Sequence, residues 1–111
     1  MIQNRLSNSL RWSANRENQP GAGGWIYFIQ CEGFVKIGQT RKLVKSRIIE
    51  LQTGNPFPLK LVGILKTDNM DRDEKKIHSM FRRYRVRRRG EWFAFVQEIK
   101  DFVSLSAFSD L

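Results

Sequence analysis

The sequence predicts a small single-domain α/β protein, and three observations carry that expectation. The chain has 111 residues, room for one compact domain, and 41% of them are hydrophobic, enough to build a core. Two runs crowded with β-branched and aromatic residues, 25–30 and 34–39, stand close together around Cys31, Glu32 and Gly33, a short Gly-containing connection typical of a hairpin. Downstream, segments with helical spacing of apolar residues alternate with segments that read as strands.

Residues 1–23 are polar and rich in Asn, Ser and Arg, and they run into a Pro/Gly-rich joint. They read as a flexible basic arm carrying Arg5, Arg11 and Arg16, in which Leu6, Leu10 and Trp12 can support a short helix. The domain itself is expected over 24–111. Side chains alternate across a strand. Trp25, Tyr27 and Ile29 therefore share one face against Ile26, Phe28 and Gln30, while Phe34, Lys36 and Gly38 oppose Val35 and Ile37. Each strand carries one polar functional group, Tyr27 or Lys36, in apolar surroundings. On the hairpin alone, both are ordinary members of a half-buried sheet.

Thr40 is placed to cap a helix over 41–53, with Gly54 in the stopping position and Pro56 beyond it. Val44, Ile48 and Leu51 form its apolar stripe, Leu43 widens it, and Arg47 falls inside it. An unpaired buried charge costs several kcal/mol. Arg47 therefore either snorkels to the edge or finds a partner. Residues 58–66 read as a third strand, with Leu59, Leu61 and Gly63 on one face and Val62 and Ile64 opposite. Asp68 or Asn69 caps a second helix over 70–84, and Asp71 and Asp73 suit its positive end. Met70, Ile77, Phe81 and Tyr84 form its stripe. Glu74 lies within that stripe and His78 at its margin. Two helices thus present one charge each, of opposite sign, to a sheet bearing Tyr27 and Lys36, a pattern that points to a site.

Between 72 and 89 stand nine Lys or Arg (Arg72, Lys75, Lys76, Arg82, Arg83, Arg85, Arg87, Arg88, Arg89) against Asp73 and Glu74. A charge run is ordinarily a solvated face; this one borders the expected site, and its arginines are candidates for gripping phosphate. After Gly90, residues 91–96 read as a short strand or extended edge, and 97–108 as a closing helix with Ile99, Phe102, Val103 and Ala107 inward. The formal net charge of +9 selects nucleic acid as the first partner to consider, ahead of an anionic membrane surface or an acidic protein. The single cysteine, Cys31, has no intrachain partner, which suits a reducing compartment. No apolar run approaches the roughly 18 residues of a membrane span, and the first twenty residues lack a secretion-signal core. The expectation is a soluble protein of the cytoplasm.

A tyrosine, a lysine, an arginine and a carboxylate facing one cleft suit hydrolysis of a phosphodiester. Glu74 can hold one hard divalent cation, Mg²⁺ or Mn²⁺, with water and substrate oxygens completing the shell. Arg47 can set its fork of donors on non-bridging oxygens. Tyr27 can take the proton of the attacking water, with His78 as the alternative base, and Lys36 can acidify that tyrosine or bind phosphate itself.

These residues resemble the GIY-YIG nuclease superfamily, in the compact phage and bacterial branch whose second motif reads VKIG. Trp25, Ile26 and Tyr27 match the first motif, and Val35, Lys36, Ile37 and Gly38 the second. Arg47 follows in the first helix, then the run LQTGNPFPLKLVG over 51–63. Glu74 with Ile77, His78 and Phe81 marks the next helix, and GEWF over 90–93 closes the pattern. The resemblance covers 24–96. It implies a central three-stranded antiparallel sheet flanked by helices and metal-dependent cleavage of DNA at a single metal site. It also implies that Tyr27 acts as general base or positions the nucleophile, and that Glu74 is the metal ligand. Trp25 stands where the first motif usually has Gly, Lys36 where the second tyrosine would be, and the carboxy-terminal asparagine of many such nucleases has no counterpart. A DNA- or partner-binding module without catalysis, and an adaptor for an acidic protein, are the rival readings.

Overall fold

A computed structural model describes residues 23–106 of the protein. The arm residues Arg5, Arg11 and Arg16, the Leu6, Leu10 and Trp12 spacing, and the expected helix end at 107–108 lie outside the described residues. The elements run β1 (Gly24–Cys31), β2 (Phe34–Thr40), α1 (Val44–Gln52), β3 (Lys60–Thr67), α2 (Met70–Met80), a 3-10 turn (Arg82–Tyr84), β4 (Trp92–Ala94) and α3 (Gln97–Ser106).

The β-rich runs do pair as a hairpin, with a tighter turn than the expected three-residue connection. Cys31 pairs with Phe34, leaving two residues in the loop, and Glu32 takes a left-handed backbone at φ 56°. The sheet is antiparallel with the strand order β3-β1-β2-β4, so it has four strands rather than three. The extra strand is the edge expected near 91–96. Lys36↔Trp92, Val35↔Phe93 and Phe34↔Ala94 join it to β2, and the bridge Arg85↔Phe93 draws the basic segment alongside.

Strand alternation divides the core into two layers. Ile26, Phe28, Val35, Ile37, Leu65 and Phe93 pack against Ile77 and Phe81 of the α2 segment and Ile99, Phe102 and Val103 of α3. The rings of Phe81 and Phe102 meet edge-on at 5.4 Å between centroids, a favoured aromatic geometry. On the other face Tyr27, Ile29 and Ile64, with Leu59 and Leu61, meet Val44, Ile48 and Leu51 of α1. Leu61 and Ile64 were expected on opposite faces. A register shift between Phe28 and Ile29 places a bulge in β3 near Val62, which resets the alternation and turns both toward α1.

Helix α1 begins at Val44 rather than Arg41 because the Thr40 hydroxyl accepts from the Lys42 amide at 3.0 Å and holds the preceding residues in a turn. Leu43 precedes the first turn and is 74% exposed, so it does not widen the stripe. Gly54 follows the helix at φ 81°, as its stopping position requires. Asn69, not Asp68, caps α2 by accepting from the Arg72 amide at 3.2 Å. The helix ends at Met80, and the 3-10 turn carries the chain on to Tyr84, whose hydroxyl donates to Glu98 at 2.6 Å. Asp73, expected only to complement the helix N-terminus, is fully buried; it accepts from the Thr67 hydroxyl and pairs with Arg72 at 3.1 Å.

Tyr27 pairs with Gly38 across β1 and β2, and its ring lies over that glycine. A Cβ at position 38 would stand 2.4 Å from the tyrosine oxygen. Only a residue without a side chain lets the ring reach this position. We expect Gly38→Ala to cost about 1–3 kcal/mol in urea unfolding, the usual range for overpacking a core. Gly33→Ala, whose Cβ would meet nothing within 4 Å, should stay within about 0.5 kcal/mol.

Candidate functional site

β4 covers β2 only at 34–36. One further bond, from the Ile37 amide to the Glu91 carbonyl at 2.9 Å, ends the pairing. Beyond it the outer edge of β2 must satisfy its backbone by other means. His78 Nε2 bonds the Ile37 carbonyl at 2.8 Å, and Gln39 Nε2 donates to Asp71 at 2.8 Å. Both partners lie on α2, which is thereby stitched to the strand edge by side chains.

His78 Nδ1 stands 2.8 Å from the Arg85 guanidinium. Arginine only donates, so Nδ1 accepts, and Nε2 carries the proton given to Ile37. Burial lowers the His78 pKa and the Arg85 charge adds to this, against the pull of the Ile37 carbonyl. The ring is neutral, with both nitrogens engaged. His78 therefore has no free lone pair with which to act as the alternative base.

One turn back on α2, Glu74 is 9% exposed, and its Oε2 is buried without a hydrogen-bond partner. That oxygen lies 3.6 Å from His78 Nε2, whose proton is committed to Ile37. Burial, with the charges of Glu91 and Asp71 next, raises the Glu74 pKa to about 7, against a smaller lowering by Lys36 and Arg85. An orphaned oxygen on a half-neutral carboxyl suits a hard divalent cation, which would supply the missing partner. Among the described residues no three His, Cys, Asp or Glu side chains form a ready cage.

The other expected residues reach the same stretch of β2 from the α1 face. Tyr27 is buried over Gly38, and Arg47 Nε donates to its hydroxyl at 3.4 Å. Arg47 Nη1 pairs with Glu50 at 3.0 Å, and Lys42 holds the second Glu50 oxygen at 2.6 Å. These two cations, Lys42 first, lower the Glu50 pKa. Lys36 pairs with Glu91 at 2.9 Å and sits over the Trp92 ring at 5.7 Å from its centroid. Arg47 and Glu74 thus come from helices on opposite faces, and Arg47 is paired with Glu50 rather than with Glu74. Both sets border 37–38, His78 holding the edge of one residue and Tyr27 covering the next.

The basic run divides. Arg82, Arg83, Arg87, Arg88 and Arg89 are exposed. Arg85 is half-buried: it donates to His78 and to the Arg88 carbonyl at 2.9 Å, and its guanidinium lies 5.5 Å from the Phe93 ring centroid. Sequence reasoning missed Glu50, Glu91 and Trp92 as partners. Only Glu50, three residues from Arg47 on one helix, left a signal in the spacing.

The class defined by this arrangement is a small α/β domain in which one strand is bordered on one face by cations and a tyrosine hydroxyl and on the other by a carboxyl with one unpartnered oxygen. The sequence profile of the T5orf172 domain matches residues 24–106, and the chain belongs to that family, a phage-associated domain of the endonuclease-related group. Searches of curated proteins and of solved structures give no match. No helix among the described residues is long and apolar enough to cross a membrane.

Because the folded-state pKa of Glu74 lies above the ordinary 4.5, the stability its protonated form contributes is present below pH 4.5 and is lost as pH rises through about 7. Without metal, Glu74→Gln should match wild type in denaturant stability near pH 4.5. At pH 8 it should exceed wild type by a margin of the order of 2–3 kcal/mol.

Proposed function

We propose that the protein is a DNA endonuclease of the GIY-YIG type that hydrolyses a phosphodiester at the edge of β2 with one divalent cation, Mg²⁺ or Mn²⁺, on Glu74. The observation that carries this reading is the buried, unpartnered Glu74 oxygen beside β2, on whose other face lie its own Lys36, Tyr27 of β1 and Arg47 of α1. When bound, the cation supplies Lewis acidity to the phosphate and the leaving oxygen.

The protein's own residues account for the remaining steps. In the free protein Glu50 and Glu91 occupy Arg47 and Lys36, and each carboxylate is 41% exposed. A substrate phosphate can displace such open partners, because exposed ion pairs contribute little. Arg47 then directs its fork at the non-bridging oxygens, where charge builds in the transition state. Lys36, backed by the Trp92 ring, holds a phosphate oxygen. Tyr27, oriented by Arg47 and by the absence of a side chain at Gly38, acts as phenolate: its own proton passes to solvent beside the Arg47 guanidinium, and its oxygen then takes the proton of the attacking water. His78 holds the strand edge through the Ile37 carbonyl. Arg82, Arg83, Arg87, Arg88 and Arg89 provide the sequence-independent grip on the DNA backbone.

Plasmid nicking tests the reading. Wild type with Mg²⁺ should cut, chelator should stop it, and Glu74→Gln, Arg47→Ala and Tyr27→Phe should each slow cutting by about 10²-fold or more. Mn²⁺ at pH 8 should raise the Tm of wild type and leave Glu74→Gln unmoved, which reports binding apart from turnover. A wild type that binds DNA tightly without cutting under any divalent cation would make the domain a binding module.

DNA affinity should fall steeply with salt. Replacing Arg87, Arg88 and Arg89 by Gln should reduce the slope of log K against log salt by about 2–3. Affinity indifferent to salt would instead fit an acidic protein partner.

A further inference from the structure

The same face of β2 that carries Lys36 and Gly38 continues to Phe34 by strand alternation. There a groove of about 240 Å³ opens between Phe34, Trp92, Val86 and Cys31, closed by Gly90 and Arg87. Its lining is almost wholly apolar, and Phe34 and Val86 are 45% and 52% exposed. Arg88 and Arg89, both exposed, follow Arg87 in the loop that forms its rim. Trp92 joins the groove to the candidate site, since its ring also carries the Lys36 ammonium. Four residues of strand separate Phe34 from Gly38, about 13 Å, or roughly four nucleotides of stacked strand.

We infer that this groove receives an unpaired nucleobase of the DNA substrate, a few nucleotides from the phosphate held at the strand edge. The inference rests on the nuclease reading and adds a substrate class to it: DNA with a single-stranded, gapped or extruded base rather than continuous duplex. An aromatic and aliphatic slot offers stacking without reading the base, and arginines at the rim meet the phosphate that the base brings with it. The charge pattern favours this occupant over two others. A peptide would bury backbone donors and acceptors in a groove with almost no polar group to satisfy them. A second copy docked isologously would set Arg87, Arg88 and Arg89 against themselves. An unpaired base stacks through its π-face, which needs no hydrogen bond, and the phosphate attached to it brings the negative charge that the rim arginines favour.

The test is fluorescence anisotropy in chelator, at fixed moderate salt, with three labelled duplexes: fully paired, with one unpaired thymine, and with an abasic residue at that position. The unpaired thymine should bind about tenfold tighter than either control, the effect of one base on an aromatic platform. Phe34→Ala should bring that ratio close to one, and so should Val86→Asn, with far-UV circular dichroism confirming that both variants fold. Equal affinity for all three duplexes in wild type overturns the inference while leaving DNA binding intact. So does a Phe34→Ala variant that weakens all three alike with the ratio preserved. Failure to bind any of the duplexes removes the nucleic-acid reading itself, and the groove assignment with it. A concentration-dependent dimer in sedimentation that Phe34→Ala dissociates would give the groove to a second copy.

Discussion

A strand that outruns its neighbour is the constraint from which the rest of the molecule follows. β4 has three residues and β2 seven, so most of the outer edge of β2 has no strand to pair with. Exposed sheet edges invite unwanted pairing, and proteins cover them with helices, charges or bulges. Here α2 covers the edge, and it does so with side chains: His78 donates to the Ile37 carbonyl, and Asp71 accepts from the Gln39 side chain. Helical geometry then leaves Glu74 no choice of place. Four residues before His78 it lies on the same side of α2, one turn away, at the junction of strand edge and core. The carboxylate is buried because the histidine is anchored, and the histidine is anchored because the strand edge needs a donor.

Charge placement in the site divides along burial. Arg47 and Lys36 are satisfied by Glu50 and Glu91, both at the surface, where an ion pair is cheaply exchanged. Glu74 is in the opposite condition, buried with one oxygen unpartnered. Asp73, its neighbour in sequence, shows what a purely structural buried carboxylate looks like: both oxygens are engaged, by Thr67 and Arg72. Two adjacent acids of one helix thus differ in satisfaction. Burial is common to both, whereas one Glu74 oxygen stands without a hydrogen-bond partner.

Most of the elements were legible in the sequence because their signals are local. Glycine after α1, asparagine before α2 and the aromatic hairpin all act within a few residues, and the two misplaced charges, Arg47 and Glu74, stood out against helical periodicity. The features that could not be read depend on contacts between distant segments. Nothing near Val62 announces the bulge, which answers to β1 rather than to β3, yet it reverses the facing of Ile64. Thr40 looked like a helix cap and spends its hydroxyl on Lys42, delaying the helix to Val44. Arg85 stands among exposed arginines and matches them in composition; its partial burial follows from the bridge to Phe93 and from the open lone pair on His78, neither visible in a charge run. His78 stands at a stripe margin as an alternative base or a histidine satisfied by its neighbours, and only the unpaired edge of β2 and Arg85 show which partners take its two nitrogens.

Strand alternation gives this edge a further order. Along one face of β2, the positions 34, 36 and 38 present an aromatic ring, an ammonium group and no side chain at all. Each is completed by a residue from another segment: Trp92 beside Phe34 and beneath Lys36, and Tyr27 over Gly38. The row thus runs from apolar contact to charge to a vacant position filled by a hydroxyl. Period-two geometry produces that series without any loop needing to be placed. The same alternation sends Val35 and Ile37 into the opposite core, so the row is as rigid as the core beneath it. A site built this way inherits its precision from sheet packing, while Arg47 on α1 and Glu74 on α2 arrive from elements that this same sheet aligns.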